Sequence, residues 1–157
     1  MPITRFGTQQ AMSESVIAAK SVQSAIHMPS STTSRSSKPR LLLVDDDLPI
    51  RGSLTMVFEW HGYDVTAVAD AADAMKHINQ QLPDVLVTDL DLGPGIGGLS
   101  LITHLRQLHP RLPIVVVSGC DEARDEAIEC GARAFIPKPI SVEDLMVAIR
   151  DATTSVC

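Results

Sequence analysis

The amino-acid sequence predicts an α/β fold, a doubly wound parallel sheet of five strands with five helices on its two faces. Three observations carry this. Short apolar runs rich in branched residues alternate with segments of helical period from Leu41 onwards. The runs Leu41-Leu42-Leu43-Val44 and Ile114-Val115-Val116-Val117 are apolar at every position, as strands buried on both faces require. Strands that alternate with helices make βαβ units with right-handed crossovers, which place helices on both faces of the sheet.

The elements follow in order. The first strand is Leu41–Asp45, and Ile50, Leu54, Val57 and Phe58 then recur at helical spacing behind Asp47, a cap for a helix starting near Leu48-Pro49. Gly62 stops that helix ahead of the second strand, Tyr63–Ala69. Asp70 caps a helix carrying Ala71, Met75 and Ile78, and Pro83 ends it before the third strand, Asp84–Asp89. Leu101, Leu105 and Leu108 mark the next helix, stopped by His109-Pro110 before the fourth strand, Pro113–Ser118. Ala123, Ala127 and Cys130 form a fourth helix with Gly131 as its C-cap, and Ala134–Pro137 is the last strand. Ser141 opens the final helix through Val142, Leu145, Met146 and Ile149, with Asp144 in the N3 place of a capping box.

Charge divides the chain. Residues 1–40 hold five basic side chains and one acidic, a net +4, whereas residues 41–157 hold eight basic and eighteen acidic, a net −10. Residues 1–39 are read as a disordered or weakly helical, Ser-rich basic tail, and 40–157 as the folded domain. Thirteen of the first forty residues are Ser or Thr, too polar a stretch to offset chain entropy by burial. Met12, Val16, Ala19 and Ile26 leave a faint helical spacing there, and Met28 is an alternative start. The overall charge of −6 argues against direct nucleic-acid binding. No apolar run approaches the ~20 residues of a membrane span. Cys120, Cys130 and Cys157 have neither disulfide-framework nor zinc spacing, which suits a cytoplasmic setting. The five histidines show no ligand spacing and read as surface residues.

Function is concentrated at the strand ends. In a doubly wound sheet ligands bind outside the carboxyl ends of the strands. The first run ends in Asp45-Asp46-Asp47, the third in Asp89-Leu90-Asp91, the fourth in Ser118-Gly119 and the fifth in Lys138-Pro139. Crowded carboxylates repel unless a cation intervenes, and an all-oxygen cluster suits Mg²⁺. A hydroxyl and an ammonium nearby suit the oxygens of a phosphoryl group, and a carboxylate between them can act as its acceptor.

The motifs LLVDDD, VLVTDLDLG, VVVSG and FIPKP, in this order and at this spacing between Leu41 and about Ala152, resemble the receiver domain of bacterial response regulators, in the chemotaxis-regulator-like, single-domain form. The resemblance implies a flavodoxin-like sheet in strand order 2-1-3-4-5. It implies that Asp89 is the phosphoacceptor and that Asp45 and Asp46 hold Mg²⁺ together with Asp89 and the backbone carbonyl of Asp91. It assigns Lys138 and Ser118 to the phosphoryl oxygens, makes Phe135 an aromatic switch that turns inward when the Ser118 hydroxyl moves, and makes the Lys138–Pro139 bond cis. The implied partners are a sensor histidine kinase or phosphotransfer protein and an unidentified downstream protein. A homodimer through the fourth helix, fifth strand and fifth helix is a further implied possibility.

The chain departs from that pattern in the loop after Asp89, Leu92-Gly93-Pro94-Gly95-Ile96-Gly97-Gly98, which is rich in glycine and lacks the usual acid. Such a loop is mobile or differently turned. Cys120 and Asp91 occupy positions that influence dephosphorylation, so an unusual phosphoryl lifetime is expected. Two other readings stand beside this one. The domain could serve as a docking or dimerising module with incidental phosphorylation. Asp89-Leu90-Asp91 also resembles the nucleophile motif of haloacid-dehalogenase-type phosphohydrolases. Against that enzyme, the acid pair lies upstream and only about 68 residues follow Asp89.

Overall fold

The computed structural model describes residues 37–155. Residues 1–36 of the tail, with its helical spacing over residues 12–26 and Met28, and Cys157 lie outside the described residues. The elements run β1 (Arg40–Val44), α1 (Leu48–Trp60), β2 (Asp64–Val68), α2 (Ala71–Gln80), β3 (Val85–Asp89), α3 (Gly98–Leu108), β4 (Ile114–Ser118), a single 3₁₀ turn (Asp121–Ala123), α4 (Arg124–Cys130), β5 (Ala134–Pro137) and α5 (Val142–Thr154). The strands form one sheet in the order β2-β1-β3-β4-β5, every neighbouring pair parallel. No described helix is long and apolar enough to cross a membrane.

Strand periodicity sorts the core into two layers. Successive side chains point to opposite faces. Leu42, Val44, Leu86, Ile114 and Val116 pack with α2, α3 and α4 through residues such as Ile78, Leu101, Leu105 and Ala127. Leu41, Leu43, Val85, Val87, Val115 and Val117 pack with α1 and α5 through Leu54, Phe58, Leu145 and Ile149. β3 and β4 are buried at every position, so apolar residues serve both layers there. β2, at the edge, has no fully buried position, and its pairing stops one residue short of the expected run at each end.

The helix starts obey local signals. The carboxylate of Asp47 accepts from the N–H of Ile50, that of Asp70 from Asp73, and the Ser141 hydroxyl from Asp144. Gly131 ends α4 at φ 119°, and Gly62 follows α1 at φ 90°, a region that favours glycine. The fourth helix differs from expectation. Ala123 closes a tight turn, its N–H donating to the Cys120 carbonyl at 3.2 Å, and α4 proper begins only at Arg124. With seven residues and Ala127 as its single fully buried position, this segment has too small an apolar face to carry the helix further back.

Candidate functional site at the carboxyl edge of the sheet

Four polar residues are buried among the described residues, Asp45, Thr88, Asp89 and Ser118. All four lie at the carboxyl ends of β1, β3 and β4. Asp45 follows β1 directly and is 1% exposed. One of its oxygens accepts the N–H of Asp47 at 2.8 Å, and the other faces Lys138 Nζ at 3.5 Å. Asp89 ends β3. Its Oδ1 accepts the N–H of Asp91 at 3.0 Å, and its Oδ2 receives Lys138 Nζ at 2.5 Å. Asp46 is exposed, and its carboxylate has no hydrogen-bond partner among the described residues. One oxygen each from Asp45, Asp46 and Asp89 lies within 4.8 Å of the others.

Lys138 reaches this cluster because β5 stays in register with β4. Ser118 pairs with Pro137, and the Lys138 N–H then donates to the Ser118 carbonyl at 2.9 Å. The cis Lys138–Pro139 bond turns the chain away towards α5. Burial and the approach of charges move two groups. Burial pushes the Asp45 carboxyl up, with Asp89 adding to the rise, and the Asp47 amide and Lys138 offset only part of it. Burial pulls the Lys138 ammonium down, but its hydrogen bond to Asp89 and the charges of Asp89 and Asp45 outweigh this, leaving it above the ordinary lysine value. Lys138 is therefore a charged clamp between two carboxylates.

The remaining candidates sit around this centre. Asp91 is exposed. Its amide, rather than its carboxylate, engages Asp89, and its carboxylate accepts from Gly93 at 3.4 Å. The Ser118 hydroxyl is buried and accepts from the Cys120 N–H at 3.2 Å. Phe135 is buried in the layer that holds α3 and α4. The Cys120 thiol is exposed and faces a carboxylate, Glu122, at 3.6 Å.

Four supporting residues escape sequence reasoning. Arg51, from α1, donates to the Asp45 carbonyl at 2.6 Å and fixes the acidic turn. The Thr88 hydroxyl donates to the Asp89 carbonyl at 2.8 Å. Leu92 anchors the glycine-rich loop at 4% exposure. Gly98 passes so close to β3 that a Cβ there would fall 2.6 Å from Leu90 Cα. Gly93 and Gly95 take positive φ, 71° and 119°, a region that favours glycine. Gly98 carried no distinguishing signal among the glycines of that loop.

A family model described as the response regulator receiver domain matches residues 41–150. Response regulator MprA from Mycobacterium leprae is 34% identical over 113 residues, 71% of this chain and 49% of that protein. The chain thus spans about half the length of the curated relatives it matches. Among solved structures, the receiver domain of NtrX from Brucella abortus is 30% identical with a TM-score of 0.70, over 73% of this chain and 98% of that one. A CheY-like receiver domain protein from Methanospirillum hungatei is 29% identical with a TM-score of 0.71, over 76% and 97%.

Proposed function

The chain belongs to the response regulator receiver domain family, a signalling family of two-component systems, and from that premise we propose that Asp89 accepts a phosphoryl group from the phosphohistidine of a sensor kinase or phosphotransfer protein. The observation that carries this is the contact of Lys138 Nζ with Asp89 Oδ2 at 2.5 Å, beside two further carboxylates. A carboxylate oxygen of Asp89 forms the new O–P bond. The N–P bond breaks, and its electron pair returns to the imidazole nitrogen. Lys138 moves from the carboxylate to the arriving phosphoryl oxygens, where positive charge stabilises the transition state. The Ser118 hydroxyl, on the residue whose carbonyl receives the Lys138 N–H, exchanges its Cys120 amide for the same oxygens.

The donor set fits Mg²⁺. Three carboxylates face one ammonium, leaving a net negative pocket of hard oxygen ligands. Asp45, Asp46 and Asp89 would hold the ion, with the Asp91 carbonyl as the family resemblance implies. When bound, it supplies positive charge to the phosphoryl oxygens. Asp45, with both oxygens engaged, orients the pocket, whereas the Asp46 carboxylate has no hydrogen-bond partner among the described residues. The readout is a shift between two conformations that changes partner affinity, on a protein working in the cytoplasm. The face of α4, β5 and α5 is the surface we assign to a downstream partner or a second copy.

Incubation with a labelled small phosphodonor and Mg²⁺ tests the reading. The wild-type protein is expected to take up label, and Asp89→Asn to take up at least about a hundred-fold less, equivalent to roughly 2.7 kcal/mol of activation free energy. Undiminished labelling of Asp89→Asn overturns Asp89 as acceptor.

A further inference from the structure

Phe135 lies in β5 with its ring 5% exposed, packed into the layer that holds Leu101, Leu105 and Ala127. Arg124, the first residue of α4, covers it from outside. The guanidinium carbon stands 4.7 Å from the ring centroid, and Arg124 Nη1 donates to the carbonyl of Phe135 itself at 3.4 Å. One side chain therefore holds both the ring and the backbone of the same residue. Arg124 makes no ion pair among the described residues, although Asp125 and Glu129 share its groove. Its charge is directed at Phe135 instead.

Phenylalanine has no hydroxyl, so no side-chain hydrogen bond can hold this ring inward or outward. Burial and whatever covers the ring decide its position. Outside the ring lies an open groove of about 600 Å³, lined by Arg124, Asp125, Ile128, Glu129, Ala134 and Phe135, with room for an outward rotamer. The ring is inward while the Ser118 hydroxyl is still engaged by Cys120. Inward packing therefore does not wait for that hydroxyl to move, contrary to the order the family resemblance implies.

We propose that Arg124 is a latch that holds Phe135 inward before any phosphoryl group arrives, so that the α4–β5 surface is preset and responds only weakly to phosphorylation. The preset surface rests on the receiver reading above; the latch itself does not, because it consists only of contacts between Arg124 and Phe135. A cation–π contact at an exposed site shifts a two-state equilibrium by about two- to five-fold, and the carbonyl contact adds to it.

The test is aromatic NMR of phenylalanine-labelled full-length protein, with Phe135 assigned by Phe135→Leu. Spectra of wild type, Arg124→Ala and Arg124→Lys are taken first without Mg²⁺ or phosphodonor. The expected result is a single buried Phe135 signal in wild type and at least two-fold greater exchange or a second ring signal in Arg124→Ala, with Arg124→Lys between them. Arg124→Gln, which keeps a donor for the carbonyl, serves if Arg124→Ala does not fold. A Phe135 signal unchanged by every Arg124 variant overturns the latch. Beryllofluoride with Mg²⁺ is then added. The Phe135 signal is expected to move less in wild type than in Arg124→Ala, and the reverse order overturns the preset surface. If beryllofluoride alters no part of the wild-type spectrum, the receiver reading fails while the latch is judged on the metal-free spectra alone.

Discussion

At the edge of the sheet where strands begin, Pro39, Pro83 and Pro113 stand at or just before β1, β3 and β4. With Tyr63, Leu82 and Leu112 they line a shallow cavity of about 420 Å³. Proline brings no N–H, so a strand entering this edge leaves fewer donors to satisfy. The exposed Arg40–Asp84 pair supplies its main polar tie, with the Arg40 N–H donating to Asp84 at 2.7 Å. At the opposite edge the same strands end in every buried polar residue described. Burying a charge is costly unless it is paired, and here two buried carboxylates, Asp45 and Asp89, share one ammonium. Rules of packing are kept where the sheet only needs to be closed and broken where it must react.

Four substitutions probe that contrast, from the largest expected effect on stability to the smallest. Phe58→Ala empties a fully buried site next to Tyr63 and should cost about 3–5 kcal/mol in urea unfolding, with phosphodonor labelling of the folded fraction unchanged. Labelling that falls further than unfolding accounts for would show the two ends to be mechanically joined. Lys138→Ala strands two buried carboxylates. Because the lysine side chain is still 21% exposed, a cost discounted below the ~3–5 kcal/mol of a fully buried pair, to about 2–3 kcal/mol, is expected in metal-free buffer. Millimolar Mg²⁺ should restore more stability to this variant than it adds to wild type; equal gains would remove the ion from the cluster.

Gly98→Ala forces a methyl against the Asp89–Leu90 backbone and should cost about 1–3 kcal/mol while also slowing labelling, because the same contact positions the acceptor. Stability lost with labelling kept would confine Gly98 to packing. Asp84→Ala, at the proline-lined edge, removes only an exposed carboxylate and should stay under about 1 kcal/mol with labelling unaffected. Slower labelling there would erase the contrast between the edges.

Much of this architecture was legible because its signals are local. Asp47, Asp70 and Ser141 cap their helices through amides three residues away, a distance any sequence pattern can register. The all-apolar runs Leu41–Val44 of β1 and Ile114–Val117 of β4 foretold burial on both faces. The short α4 was misread at its start because Ala123 fits the helical spacing, yet a single 3₁₀ bond to Cys120 takes precedence there. Arg51 and Gly98 were invisible for a different reason. Arg51 is one more polar residue on a helix, and Gly98 one more glycine in a loop. Their roles exist only through the Asp45 carbonyl and the Leu90 backbone that the fold brings against them.

The sequence by itself determined, to within a residue, where each strand ends, and so which side chains could enter a common site. It could do so because alternation, capping and turn chemistry act over a few residues. Only the tertiary structure decided that Lys138 divides itself between Asp45 and Asp89, partners 93 and 49 residues away, and that Arg124 lies over Phe135. Those contacts depend on the strand order β2-β1-β3-β4-β5 and the hand of its crossovers. Both are properties of the packed sheet, which no short stretch of the chain contains.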